Sequence, residues 1–465
     1  MPGPVFPAIV GFIILWSLRA IYRAFLHPLA HFKGPPTAGI STWWLYLKSR
    51  GRKIELELER LHEEYDSDTA FYAGFNSPHT VFTEEDPTLH RQRRKLINPQ
   101  FSKQGIASMQ SLLDSKVDYM LQAISKFESR GAVHMHNAFR CLTVDVISEY
   151  SFYTSFDLMK GVKDETFEMP FLLAFDIIAD SVLDFQAWPL FRKAINQVPA
   201  TIFKALSQKA RGWHDLVGTV QSAKEKYQSS QSCSLGSTGR PAIFDSLRGL
   251  PSEAISAEAL DIIIAGSDTT AMTLGVALYQ ILADSEISRK LIAELDEAIP
   301  NKDDSTDLII LEQLPYLTAC VKEALRHAMP VPGRLPRIVP ENGPPLIIDN
   351  HPIPPGTVVG MSAHSIHFDE SIWGPDARSF RPERWLHPDA KQLDKYLVTF
   401  SKGARACAGI NLAYAEIRIA LAKLFRRLSI SLDESMTPRD MEPMDCFTTC
   451  FEGTGVRILI DGKRE

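Results

Sequence analysis

The stretch Phe400 to Gly409, FSKGARACAG, decides the reading of this 465-residue chain. It sets Cys407 among two glycines, an arginine and a phenylalanine, with no second cysteine within 25 residues on either side. A lone cysteine is ordinarily a small buried hydrophobe, but these neighbours argue for more. Gly403 permits a turn that a side chain would block, Gly409 lets a following helix lie close against something flat, and Arg405 offers a cation two residues before the sulfur. The residues that follow, INLAYAEIRIALAKLF, have helical apolar spacing, so Cys407 falls near a helix N-terminus. Amides and dipole there favour a thiolate. A thiolate with no second cysteine or histidine at zinc spacing suits a planar metal cofactor whose other ligands are not protein.

Three stretches further toward the N-terminus carry chemistry. The longest helical run, from about Ser256 to Ala283, is apolar nearly all round and should form a buried central helix. In its middle sit Gly266, Ser267, Asp268, Thr269 and Thr270, polar residues that such an interior usually avoids. The Thr269 hydroxyl can bond back to the Ala265 carbonyl and open a groove. The cluster alone fits a bent helix with satisfied hydroxyls as well as a proton relay. An Asp beside a Thr, next to a glycine that admits a close neighbour, favours the relay. In PYLTACVKEALRHAMP, a helix opening at Pro315 and closing before Pro330, Glu323 and Arg326 share a face with Val321, Leu325 and Ala328 as apolar company. A pair buried there would cost about 3 to 5 kcal/mol to break on one side, so it needs a further partner. Arg384, in SFRPERW, offers one. In DPTLHRQRRKL, His90 and Arg94 lie one helical turn apart within the basic run Arg91, Arg93, Arg94, Lys95. That run reads as a solvated face, as a nucleic-acid patch, or as a face with one member turned inward to hold an anion, and by itself does not choose.

Composition narrows the class. With 45% hydrophobic and 23% charged positions, the chain is globular and long enough to bury a sizeable cofactor. A net charge of −6 gives no reason to expect nucleic acid as partner. Six cysteines without a CxxC pair do not make a disulfide framework, and the bulk of the chain reads as reduced and cytosol-facing. Cys446 and Cys450 read as bystanders, and His134, His136, His364 and His367 as structural or surface residues. Helical spacing runs from Leu56 to about Tyr227, Ser229 to Gly239 reads as a surface loop, and PLIIDN and GTVVGM read as short strands. The expected fold is therefore mainly α with a minor β part, one large domain over 56–465. Ahead of it, Val5 to Leu18 is uncharged and apolar character continues to Leu26, near the ~20 residues of a spanning helix. Basic residues from Arg19 to Lys53 follow it, and no acid precedes Glu55. This predicts an N-terminal membrane anchor over 1–27, a proline-containing linker over 28–55, and a cytosolic body.

In combination and in order, FSKGARACAG, AGSDTT and EALR resemble the cytochrome P-450 heme-thiolate family, from about Asp86 to the C-terminus. The resemblance implies the P-450 fold and heme b with Cys407 as axial iron ligand. It places Phe400 beside the heme, Gly403 and Gly409 at motif positions, and Ala265 and Gly266 at the oxygen groove. Asp268 and Thr269 would deliver protons during oxygen activation, and Glu323, Arg326 and Arg384 would form a structural triad. His90, Arg94, Arg405 and Arg337, the last in LPRIVP, would contact the propionates, His90 standing where a Trp is common. The implied activity is that of a monooxygenase using dioxygen and electrons from a separate NADPH-dependent reductase at the endoplasmic reticulum membrane. Similarity to fungal enzymes of secondary metabolism, including the trichodiene oxygenase type, implies hydroxylation or epoxidation of an apolar terpenoid or polyketide. A heme-thiolate isomerase or dehydratase, or an inactive heme protein, are the alternatives. The last is motivated by a departure: in relatives the helix ending near LHEEY is followed by a segment that supplies two strands. Here the chain runs almost directly into the His90 helix. A stretch is therefore absent between about Tyr65 and Ala70, through a missed exon or a real shortening. The strands between Arg334 and Met361 would then expose an edge.

Overall fold

Helices carry the chain. The computed structural model describes residues 5–27, 80–84, 86–177, 188, 197–198, 208–230, 241–302, 307–333, 335–339, 346–348 and 351–464. Among the described residues nine longer helices organise the fold: α1 Val5–Ile21, α2 Pro87–Ile97, α3 Gln110–Ser125, α4 Met135–Phe152, α5 Gln208–Ser230, α6 Ser252–Ala283, α7 Ser285–Ala298, α8 Pro315–Ala328 and α9 Ile410–Arg427. The helix starts are written in the sequence. Asp86 caps α2 by accepting the Thr88 and Leu89 amides, with Pro87 at the first helical position. Pro315 opens α8, which ends where Met329 turns left-handed at φ 38°.

The central helix α6 begins at Ser252, one turn before the apolar pattern, because its first turn is exposed at Ser252 and Glu253 and so shows no hydropathy signal. Its middle is buried by α4, α8 and α9. Against α4 the two helices approach closely: a Cβ on Gly266 would lie 2.7 Å from Ile147 Cγ1. The Thr143 hydroxyl of α4 donates to the Ser267 carbonyl at 2.6 Å.

The strands are short: β1 Val133–His134, β2 Arg337–Ile338, β3 Leu346–Ile348, β4 His351–Ile353, β5 Val358–Val359, β6 Leu428–Leu432, β7 Pro443–Cys446, β8 Thr448–Phe451 and β9 Arg457–Lys463. They form an antiparallel sheet in the order β1-β9-β6 and three two-stranded ribbons, β2-β5, β3-β4 and β7-β8. Ile338 and Ile347, on the β2-β5 and β3-β4 ribbons, are exposed. The 28–55 linker, the stretch near Tyr65 to Ala70 and most of the Ser229 to Gly239 loop lie outside the described residues.

Candidate functional site

The loop Phe400 to Gly409 folds back on itself ahead of α9. The Cys407 amide donates to the Phe400 carbonyl at 2.8 Å, closing the loop, and the Ala406 amide donates to Gly403. Gly403 takes φ 76°, a left-handed conformation that costs glycine nothing, which explains the residue type there. The Phe400 ring leans on Tyr414, one turn into α9, with centroids 5.5 Å apart. Cys407 shows exposed surface although protein packed around it desolvates its thiol. Together these mean that it faces an interior cavity and not bulk water. Burial pushes the thiol up, and the Gly409 amide and the Arg94 guanidinium pull it down without overcoming that. The thiolate-favouring helix start is thus present but outweighed, and a metal cation is the agent that would deprotonate this sulfur.

A cationic wall stands beside the sulfur. His90 is buried, and its pKa is lowered first by burial and then by the charges of Arg405 and Arg94, with Arg337 adding to them against the single carboxylate of Glu84. The four basic residues singled out from the sequence therefore converge. Arg94 donates to Asn98 Oδ1 at 2.8 Å and lies within electrostatic reach of Cys407. Arg337 donates to the carbonyls of Leu335 and Pro336. The basic run on α2 divides its labour: Arg94 belongs to this wall, while Arg93 turns to Glu84 and Glu258 at 3.8 and 3.5 Å. That pairing was not legible from a string of four cations.

On α6, the Thr269 hydroxyl donates to the Ala265 carbonyl at 2.9 Å, the back-bond anticipated from the sequence. Ala265 is exposed among buried and half-buried neighbours, so this face of the helix borders open space. The group that the missing Cβ of Gly266 admits is Ile147 of α4, so this glycine serves the close packing of the two helices. Asp268 points to α4 as well, where Arg140 donates to it from Nε at 2.8 Å and Nη2 at 3.3 Å. Arg140 also holds Asp176, at 2.8 Å, which is 51% exposed and so carries the network to the surface. Burial raises the Asp268 pKa and Arg140 opposes it. Arg140 was overlooked in the sequence; a single arginine inside the apolar run of α4 was the available clue. Glu416 was overlooked too. It is buried in α9, bonded to Thr270, and pushed up to about 8 by burial, which makes it a neutral acid held by the residue next to Thr269.

Glu323, Arg326 and Arg384 do come together. Arg326 donates to Glu323 from Nε at 3.0 Å and from Nη2 at 2.8 Å, and Arg384 Nε donates at 2.9 Å. Glu323 also accepts the Arg381 amide and the Trp385 indole N–H. Burial pushes its pKa up, but the hydrogen bonds and charges of His327 and Arg326 outweigh that and hold it far below the usual carboxylate range. His367 is structural, as the sequence indicated: its Nε2 accepts the Val398 amide, so Nδ1 carries the proton and donates to the Arg326 carbonyl. Burial drives its pKa to about 3 and it stays neutral, and the same holds for His136.

The residues fit heme. One sulfur faces a cavity beside four basic side chains that suit the carboxylates of an anionic macrocycle, and the loop carrying the sulfur is free of bulk at Gly403 and Ala404, both exposed. Among the described residues no three His, Cys, Asp or Glu side chains converge on a common metal position.

Comparison with known proteins agrees. The family model described as Cytochrome P450 matches residues 60–450. The chain is 30% identical to the cytochrome P450 monooxygenase macH of Penicillium terrestre, over 95% of this chain and 94% of that one. It is 30% identical to the monooxygenase tpcC of Cochliobolus heterostrophus, over 92% and 88%. It is 29% identical to a fusicoccadiene C-8 hydroxylase of Alternaria brassicicola, over 99% and 97%. Among solved structures, the cytochrome P450DA heme domain superposes with a TM-score of 0.67 at 18% identity, covering 84% of this chain and 81% of that one, which shows the shared fold. The interior thiol, the cationic wall beside it and these similarities lead to one conclusion: the chain belongs to the cytochrome P450 family, an oxidoreductase of the monooxygenase type whose cofactor is heme with a cysteine thiolate on the iron.

Proposed function

We propose that this chain hydroxylates or epoxidises an apolar small molecule, a terpenoid or polyketide of fungal secondary metabolism. A membrane-bound NADPH-dependent reductase supplies the electrons. The observation that carries this reading is the pairing of an interior thiol with a polar break in the central helix, since an electron-free isomerase has no need of a proton route. Bound heme supplies the activation of dioxygen and the transfer of one oxygen atom to carbon. Cys407 is the iron ligand, and Arg94, Arg337, Arg405 and His90 hold the propionates. Thr269, its own proton engaged by Ala265, turns lone pairs toward the cavity and positions donors there. Asp268 moves protons inward from the half-exposed Asp176 end, with Arg140 holding both carboxylates in place. Glu323, Arg326 and Arg384 fix the chain from 367 to 379, whose His367 holds the Val398 amide ahead of the cysteine loop.

Substrate class rests on likeness to the fungal monooxygenases and to the hydroxylase of Alternaria brassicicola. Membrane attachment rests on α1: from Val5 through the wide helical turn Tyr22–Leu26 the segment presents Ile13, Ile14, Leu15, Trp16, Leu18 and Phe25 outward, and spans about 33 Å at 1.5 Å per residue. With basic residues following it, the body faces the cytosol on the endoplasmic reticulum. A second reading, an inactive heme protein, has one specific support. The alignment with the Penicillium terrestre relative runs over 489 positions, more than this chain's 465 residues, so the relative has residues with no counterpart here. The test is turnover of candidate terpenes by the full chain in membranes with reductase. NADPH-dependent product is expected, together with a thiolate-type Soret band of the reduced carbon monoxide complex that Cys407→Ser abolishes. Thr269→Ala should divert electrons to peroxide while product falls; a tightly coupled mutant would remove Thr269 from the proton route, and reductase-independent product would overturn the monooxygenase reading.

A further inference from the structure

The β7-β8 hairpin holds the chain's other noteworthy sulfurs. Cys446 pairs with Thr448 and Cys450 with Met444, which places both cysteines on one face as diagonal neighbours. Two-stranded ribbons twist strongly, and twist shortens one diagonal. Here the two sulfurs lie 2.7 Å apart. Two thiols in ordinary contact sit well beyond that separation, and side chains at this approach need little backbone movement to bond. Cys450 is half-buried and reachable, and Cys446 is 4% exposed.

The hairpin matters to the cavity because of where its ends rest. Its base packs Phe451 on Met272 and Val276 of α6, just beyond Thr269, and Thr449 ties it to the end of α8 through the Met329 and Pro330 carbonyls. At its tip a single residue, Phe447, separates Cys446 from Thr448. It turns through φ 77°, a conformation a phenylalanine rarely adopts. The Phe447 ring meets Phe82 at 6.1 Å, in the segment whose Val81 amide is held by Glu258, near the other end of α6. Base and tip thus reach α6 on either side, along its length, of the Ala265 to Thr269 stretch.

We propose that Cys446 and Cys450 are a reversible dithiol that closes to a disulfide when the protein meets a hydroperoxide, and that closure fixes the Phe447 tip. The Cys450 thiolate attacks the peroxide oxygen, the O–O bond breaks, and a sulfenic acid and one water form from hydrogen peroxide. The Cys446 thiol then attacks that sulfur, the S–O bond breaks, and disulfide and a second water leave. Two electrons pass from the sulfurs to one peroxide. The inference rests on the proposed function only for the oxidant's origin, oxygen reduction that escapes coupling to product. The disulfide chemistry itself needs no heme.

The test uses the reduced full-chain holoenzyme, treated in separate arms with hydrogen peroxide and with the thiol oxidant diamide, then alkylated and digested with trypsin. The peptide Asp440 to Arg457 holds both cysteines. It is expected to escape alkylation at a mass about 2 Da lower, and to take two alkyl groups after dithiothreitol. Hydrogen exchange of the Phe447 segment should slow about tenfold on oxidation and recover on reduction. Cys446→Ser should lose both effects. Full alkylation of both sulfurs after either oxidant, oxygen addition in place of the 2 Da loss, or a disulfide with unchanged exchange would each overturn the proposal. A failure of the heme assignment would appear instead as a missing Soret band with the peptide result intact.

Discussion

Replacing Glu416 with glutamine measures what a buried acid costs this fold. Glu416 is 2% exposed, and burial raises its pKa from 4.5 to about 8. In the unfolded chain it titrates near 4.5, so between that pH and 8 the unfolded state sheds a proton that the folded state keeps. Its contribution to stability is therefore whole below about pH 4.5 and is lost as pH rises to about 8, above which nothing further is lost. At pH 7 the interval crossed is about 2.5 units, or about 3 kcal/mol. Glutamine does not ionise and can keep the bond to Thr270. One Glu416 oxygen already meets no hydrogen-bond partner among the described residues, so exchanging it for the unmatched amide N–H of glutamine is set at the low end, about 1 kcal/mol. The expected result is a Glu416→Gln protein about 2 kcal/mol more stable than the parent at pH 7 and close to it at pH 5. Urea unfolding followed by tryptophan fluorescence at pH 5, 6, 7 and 8 reads the difference. A difference that stays flat across that range would refute the neutral buried acid.

Gly266→Ala should cost about 1 to 3 kcal/mol through its collision with Ile147 while heme content holds; loss of heme at unchanged stability would tie Gly266 to the cofactor. Arg140→Met leaves Asp268 buried without its counter-charge, so unfolding should come about 3 kcal/mol sooner and product per NADPH should drop with an unaltered Soret band; full coupling would take Arg140 out of the proton route. Glu323→Ala strands two buried guanidiniums and should cost about 3 to 5 kcal/mol or more, read as failure to accumulate holoprotein; normal heme loading would contradict the network's structural role.

What the sequence disclosed and what it hid divide along physical lines. Cys407, Thr269, Glu323 and Arg326 were legible because each acts within its own segment or through a fixed helical spacing, as in the Thr269 bond to Ala265 or the Glu323 to Arg326 pair. Arg140, Asp176 and Glu416 were not, because their partners stand 128, 36 and well over 100 residues away and nothing local marks the pairing. Gly266 was visible as a place of close approach, but a missing side chain does not say from which side the neighbour comes. The short strands were foreseeable as texture between Arg334 and Met361, whereas the pairing of β1 with β9 joins segments far apart in the chain.

Arg326 and Arg384 do more than neutralise Glu323. Arg326 Nη1 donates to the carbonyls of His367 and Ala377 and Nη2 to that of Ser379, and Arg384 donates to those of Trp373 and Asp376. The chain from 367 to 379, mostly irregular, thus finds hydrogen-bond donors in two guanidiniums, one of them 41 to 53 residues upstream. The consequence is kinetic. That segment has little ladder of its own to nucleate on, so it is expected to order only after α8 is in place and its loop has closed, at an entropic cost set by that separation. The cysteine loop, which follows it in the chain, should be among the last parts to settle, and stabilising it should slow unfolding without speeding folding.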